Sequence, residues 1–143
     1  MNKFAIIGDS TCDLTGELRA KYNIEYARMS VTLGNDVDAK EIYADLDWPE
    51  ISPKEYYDLM RNGTRMRTAQ VTEQEFDRVF IPHLEKGEDV IYISCSSALS
   101  ASVKLAIKLN NEKYSKKYPN ARLIIVDSLI SCIGQGMLCI EAA

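Results

Sequence analysis

Three short apolar runs constrain this chain most strongly: KFAIIG (Lys3–Gly8), VIYIS (Val90–Ser94) and RLIIV (Arg122–Val126). β-branched and aromatic residues dominate them, and none alternates cleanly with polar residues, so each reads as a strand buried on both faces. Segments with helical spacing lie between them. That order is expected of an α/β domain with a mainly parallel sheet flanked by helices in Rossmann-like layers. Each run gives way to small polar residues: Asp9-Ser10, Ser96-Ser97 after Cys95, and Asp127-Ser128. In a parallel sheet the C-terminal strand ends share one edge, where ligands bind, so these groups are expected to converge on one crevice.

The second run leads into Leu99, Val103, Ala106 and Ile107, spaced for one apolar helix face. Ser96 or Ser97 is placed to cap that helix, whose first N–H groups lack intrahelical partners. Small residues at 98, 100, 101 and 102 leave the backbone open, so the junction reads as a seat for a carboxylate or phosphate. The same serines also read as an ordinary cap facing water.

Elsewhere the spacing predicts a short helix over Thr15–Lys21 and a single strand over Ile24–Leu33, turning at Gly34-Asn35-Asp36. Val37–Pro49 reads as an irregular excursion anchored by Tyr43 and Trp48. Ser52-Pro53-Lys54-Glu55 is a capping box with proline at the first helical position, opening a helix that stops near Gly63. Thr64–Val71 reads as a polar loop. Thr72-Glu73-Gln74-Glu75 forms a second capping box, and its helix runs through Phe76, Val79, Phe80 and Leu84 to Gly87. Pro82 should kink that helix or end it early. Gly134–Ala143 begins a final apolar helix.

At 143 residues the chain suits one domain, and a net charge of −4 argues against nucleic acid as a partner. Four cysteines (Cys12, Cys95, Cys132, Cys139) with no C-x-x-C pair, and one histidine, make a poor metal set. No signal peptide or membrane-spanning run is legible, so a reducing cytoplasm with free thiols is the expected setting. Gly8-Asp9-Ser10 is similar to the opening of GDSL-type esterases, with Ser10 as nucleophile, but His83, the one histidine available as a base, sits at a helix end. Gly134-x-Gly136 lacks the third glycine of a dinucleotide loop, and no Walker sequence is present. Lys104, Lys108, Lys113, Lys116 and Lys117 read as a solvated face. Arg61, Arg65 and Arg67 flank Thr68 and read chiefly as surface charge.

Four segments then carry a resemblance. Asp9-Ser10-Thr11-Cys12-Asp13-Leu14 resembles the D-S-T-x-D-L opening of the DegV family, and Arg67-Thr68-Ala69-Gln70 resembles its [KR]-T-S-Q loop. Val90–Ser102 is similar to its I-S-S-x-L-S-G-T segment. Asp127-Ser128 with Ser131, Gly134, Gln135 and Gly136 resembles its D-S-x-x-x-S-x-G-x-G helix start. The resemblance implies a fatty-acid-binding protein without catalytic residues, metal or cofactor. Its ligand carboxylate would be held by Thr68, Ser96 and Ser97, with Ser10, Ala69 and Ser128 nearby, and be presented to a separate fatty-acid kinase. It also implies that residues 1–143 are a single N-terminal lipid-carboxylate-binding domain whose C-terminal companion is absent from this chain. That companion would wall an apolar tunnel for the ligand's tail, and a tunnel wall left exposed would invite self-association.

The sequence departs from the family pattern at Ala69, Val71, Ala98 and Ala101, where serine, proline and two glycines are usual. One hydroxyl near Thr68 is lost and the backbone approach is narrowed. Two alternatives stay open: a GDSL-like esterase using Ser10, and a partner-docking domain with a vestigial pocket.

Overall fold

The computed structural model describes residues 4–34 and 39–143. The expected positions of Lys3, of the Asn35-Asp36 turn and of Val37 lie outside these residues. Four strands, β1 (Phe4–Asp9), β2 (Ile24–Ala27), β6 (Asp89–Ser94) and β7 (Leu123–Asp127), form an all-parallel sheet in the order β2-β1-β6-β7. A second, three-stranded antiparallel sheet has the order β4-β3-β5, from β3 (Met29–Leu33), β4 (Lys40–Ala44) and β5 (Met66–Ala69).

Alternation along the parallel strands sorts the core into two layers. Ala5, Ile7, Val90 and Tyr92 face α3 (Glu73–Leu84) and α4 (Ser102–Leu109), in a cluster that also holds Phe76, Phe80 and Tyr114. The rings of Phe76 and Phe80 stack at 5.0 Å, and Tyr92 meets both edge-on. Ile6, Ile24 and Ile93 face the other way, toward Leu14 before α1 (Gly16–Tyr22) and Cys139 of α6 (Ile133–Ala142). Past α4 the chain makes one π turn (Asn110–Tyr114) and the short α5 (Ser115–Lys117) before returning as β7.

The expected strand over 24–33 is two strands in different sheets, parted by Arg28 alone. Ala27 and Met29 are both tied to Ser10, whose N–H donates to the Ala27 carbonyl and whose Oγ accepts from Met29 N. Arg28 itself is gripped by buried Glu75, at 2.7 Å from Nη2 and 3.0 Å from its backbone N. The expected excursion before Pro49 contains β4, and the expected Thr68 loop contains β5. Both are short strands whose pairing to β3 is their main order.

The helix starts divide. α2 (Pro53–Arg61) has the full Ser52/Glu55 capping box. At α3, Thr72 accepts from Glu75 N, but the Glu75 carboxylate does not return to the cap; Arg28 and Arg78 hold it instead. α3 also continues two residues past Pro82, because Phe76, Phe80 and Leu84 are buried along its inner face while Pro82 is exposed.

Candidate functional site

The expected seat of an anion is moved by the structure. α4 starts at Ser102, not near Ser96, and its cap residue Ala101 makes no side-chain cap bond. Leu99 is therefore not on the buried helix face but 71% exposed, Ile107 is exposed as well, and that face is Ser102, Val103, Ala106 and Leu109. The serines are used locally. Ser96 Oγ accepts from Ala98 N, and the Ser96 carbonyl accepts from Leu99 N and Ser100 N, which makes a turn that does not go on as a helix. Ser97 donates its backbone N–H to Asp127 and, through side chain and backbone, holds that carboxyl below the usual range. Ser128 Oγ spends itself on Ile130. Ser96, Ser97 and Ser128 thus shape loops on the strand-end edge and line neither of the two cavities there.

Two cavities meet on that edge. One, of about 390 Å³, is lined by Thr68, Ala69 and Gln70 on one side and by Cys95, Leu99, Ser100 and Ala101 on the other. The second, of about 340 Å³, is lined by Ser10, Val31, Ile42, Tyr43, Leu46, Trp48 and Tyr56 among others. Thr11 and Ser131 line both. Of the expected site residues, Thr68 and Ala69 come together in the first cavity and Ser10 lines the second.

The small sheet explains how the two are joined. Val31 is directly opposite Thr68 on β5 and Ile42 on β4. Directly paired residues share a sheet face, so one row runs from a hydroxyl in the first cavity to aliphatic side chains in the second. Across from Thr68, Val71 N donates to Ser102 Oγ, and Ser102 N donates to Ser100 Oγ. The two hydroxyls lie 2.9 Å apart. With Ser102 as donor of that pair, both acceptor positions of Ser100 are filled and its own proton is free for the cavity.

Beneath Thr11 the buried polar groups are closely paired. Asp9 is fully buried, accepting from Thr11 N and Oγ1 through Oδ1 and from Cys95 N and Tyr92 Oη through Oδ2. Burial first, and the Asp9 charge next, push the Tyr92 hydroxyl well above its ordinary range, so it stays a donor. Gln135, also fully buried, has its side-chain oxygen 2.6 Å from Thr11 Oγ1 and donates Nε2 to the Ile93 carbonyl. Gly136 lets α6 come this close: a Cβ there would sit 2.3 Å from the Cys12 carbonyl oxygen.

Among the described residues Ser10 is not paired with a base. Its oxygen accepts from Met29 N, while His83 lies between Glu25 and Glu88, 2.8 Å from each. Among the described residues no group of three metal-ligating side chains is arranged to hold an ion, and no helix is long and apolar enough to cross a membrane. Thr11, Gln70, Ser100, Ser131, Asp9 and Gln135 were not singled out as site residues by sequence reasoning. All six lie within the four segments that resemble the family, Ser100 in the same hydroxyl-rich one as Ser96.

The family model described as "Uncharacterised protein, DegV family" matches residues 3–143. The chain belongs to the DegV family. A DegV domain-containing protein of Clostridium perfringens is 32% identical over 143 residues, which are 100% of this chain and 47% of that protein. A Thermus thermophilus DegV family protein, whose structure is described as one of fatty-acid binding, superposes with a TM-score of 0.78 at 28% identity, over 99% of this chain and 46% of the other. A stearic-acid-binding protein of Eubacterium ventriosum has the same fold, with a TM-score of 0.81 at 24% identity over 94% of this chain and 44% of its own. The chain spans about half the length of the DegV relatives it matches.

Proposed function

We propose that this DegV chain binds a long-chain fatty acid, with the carboxylate between Thr68 and Ser100 and the hydrocarbon along the Val31–Ile42 side. The observation that carries the reading is the cross-strand row from Thr68 through Val31 to Ile42, which joins a hydroxyl-lined cavity to an aliphatic and aromatic one. Hydroxyl donors suffice for a carboxylate, since hydrogen bonds to an ionised acceptor are the strong ones. The fatty-acid-binding relative from Thermus thermophilus supports the ligand class. Ser96 and Ser97 serve this site by setting the loop that carries Ser100, and Ser10 by fixing the start of β3.

In the same reading the chain holds substrate and performs no catalysis, and a separate fatty-acid kinase forms the acyl phosphate on the presented carboxylate. The chain acts as the lipid-carboxylate-binding half of a two-domain protein. Four free thiols, one of them exposed, support a reducing compartment such as the cytoplasm. Exposed Ile124, Val126, Ile133 and Met137 favour self-association when nothing covers them.

Thr68→Ala and Ser100→Ala test the head site in a fatty-acid binding titration. Each should weaken binding by about 1–3 kcal/mol, the range for leaving one buried polar partner without its hydrogen bond. Unchanged affinity in both variants refutes the placement, and a wild-type chain with no affinity for any fatty acid refutes the reading.

A further inference from the structure

Resting on the fatty-acid reading, we propose that Trp48 is the end-stop of the hydrocarbon channel and sets the longest acyl chain the protein accepts. The cavity that would take the tail shares Thr11 and Ser131 with the head cavity, and its lining includes Trp48, Tyr56 and Tyr57. Trp48 is in the left-handed region at φ 51, an uncommon conformation for a bulky residue that the surroundings must hold in place.

Asp45 does the holding. Trp48 N donates to the Asp45 carbonyl at 3.2 Å, and Asp47 N donates to Asp45 Oδ1 at 2.9 Å. Asp45 Oδ1 accepts from Tyr26 Oη at 2.8 Å, and its other oxygen is 3.7 Å from Arg28 Nη1. The turn that presents Trp48 is therefore fastened to β2 and to the residue between β2 and β3.

The indole then meets the Tyr56 ring edge-on at 5.6 Å, and Tyr56 meets Tyr57 at 5.4 Å. α2 buries none of its own residues, so this chain of rings, and not deep packing, joins α2 to the body at the cavity wall. Trp48 is 37% exposed, with solvent on its outer side. A shorter side chain at 48 would open the channel outward, letting a longer tail continue where the indole now blocks it.

The test titrates the purified chain with straight-chain fatty acids lengthened two carbons at a time, for wild type, Trp48→Leu, Trp48→Ala and Thr68→Ala. Wild-type affinity is expected to rise about four-fold per methylene until the tail meets the indole, then to stop rising. Both Trp48 variants should move that limit to longer chains, and Thr68→Ala should lower affinity at every length without moving it. A limit unchanged in both Trp48 variants, with Thr68→Ala still lowering every affinity, overturns the end-stop and leaves the binding reading intact. No wild-type affinity at any length overturns both. Trp48 lies outside the two buried clusters, and circular dichroism confirms folding. Trp48→Leu keeps an apolar side chain and decides the matter if Trp48→Ala is unfolded.

Discussion

Asp9 lies buried beneath the first cavity's Thr11 while Thr68 lines the cavity itself, and the fold uses their polarity in opposite ways. Asp9 is fully buried beneath Thr11, and its two oxygens accept from Thr11, Tyr92 and Cys95. Thr68 is exposed on an edge strand, and no side-chain hydrogen bond engages its hydroxyl among the described residues. A polar group satisfied from every side builds the site's frame. A polar group left with capacity to spare is what a ligand can use. The contrast separates two kinds of residue that a motif prints side by side: Asp9 and Thr11 hold geometry, while Thr68 and Ser100 face the space.

The contrast makes graded predictions. Gly136→Ala should cost the most, about 3 kcal/mol, because the new methyl meets a backbone carbonyl that no side-chain rotation can move. Urea denaturation measures it, and a loss under 1 kcal/mol would mean that α6 is not pinned to the Cys12 turn. Asp9→Ala leaves the buried Cys95 N–H unpaired and the Tyr92 hydroxyl with Ser94 Oγ alone as acceptor, and should cost about 2–3 kcal/mol in the same assay.

Glu75 joins the two regions, since it clamps the residue where the chain passes from one sheet to the other. Burial pushes its carboxyl up, but hydrogen bonds from Arg28 and Arg78 outweigh burial and hold it down at about 2, against an ordinary 4.5. A carboxyl depressed on folding contributes stability that is present above the unfolded value and lost as pH falls through the folded one. Stability should therefore decline from about pH 4.5 toward about 2, and Glu75→Gln should flatten that slope while lowering stability near neutrality by about 1–3 kcal/mol. Thermal melts across that window check both statements. Thr68→Ala should do least to the fold, within about 0.5 kcal/mol, while carrying the binding loss. A large loss of stability there would erase the comparison.

The sequence made the parallel sheet legible because its strands are continuous apolar runs and its crossovers have helical spacing. The small sheet escaped for a physical reason. β4 opens with Lys40 and Glu41 and β5 carries Arg67, so neither looks like a strand until β3 is beside it. The break at Arg28 depends on Ser10 and on Glu75, 47 residues away along the chain, and no local pattern marks it. The proposed head site was half legible. Thr68 stood out, but the helix cap was placed at Ser96 or Ser97 where the structure has Ala101, because Ser96 closes a local turn that the chain leaves again before Ser102. Glu75 taught the same lesson in reverse: its spacing from Thr72 fits a capping box, and two arginines claim its carboxylate instead.

The single residue between β2 and β3 has a bearing on how this chain could vary. Strand faces alternate with a period of two, so one amino acid inserted or deleted at position 28 would reverse the facing of everything after it on β3. Ser30 and Thr32 would then turn toward the cavity that Val31 lines, and the opposite partners Thr68 and Ile42 would lose their match. The parity of that link is written into the polarity of the wall. Insertions tolerated in ordinary surface loops should be rejected at Arg28, a half-buried link between buried Ala27 and Met29.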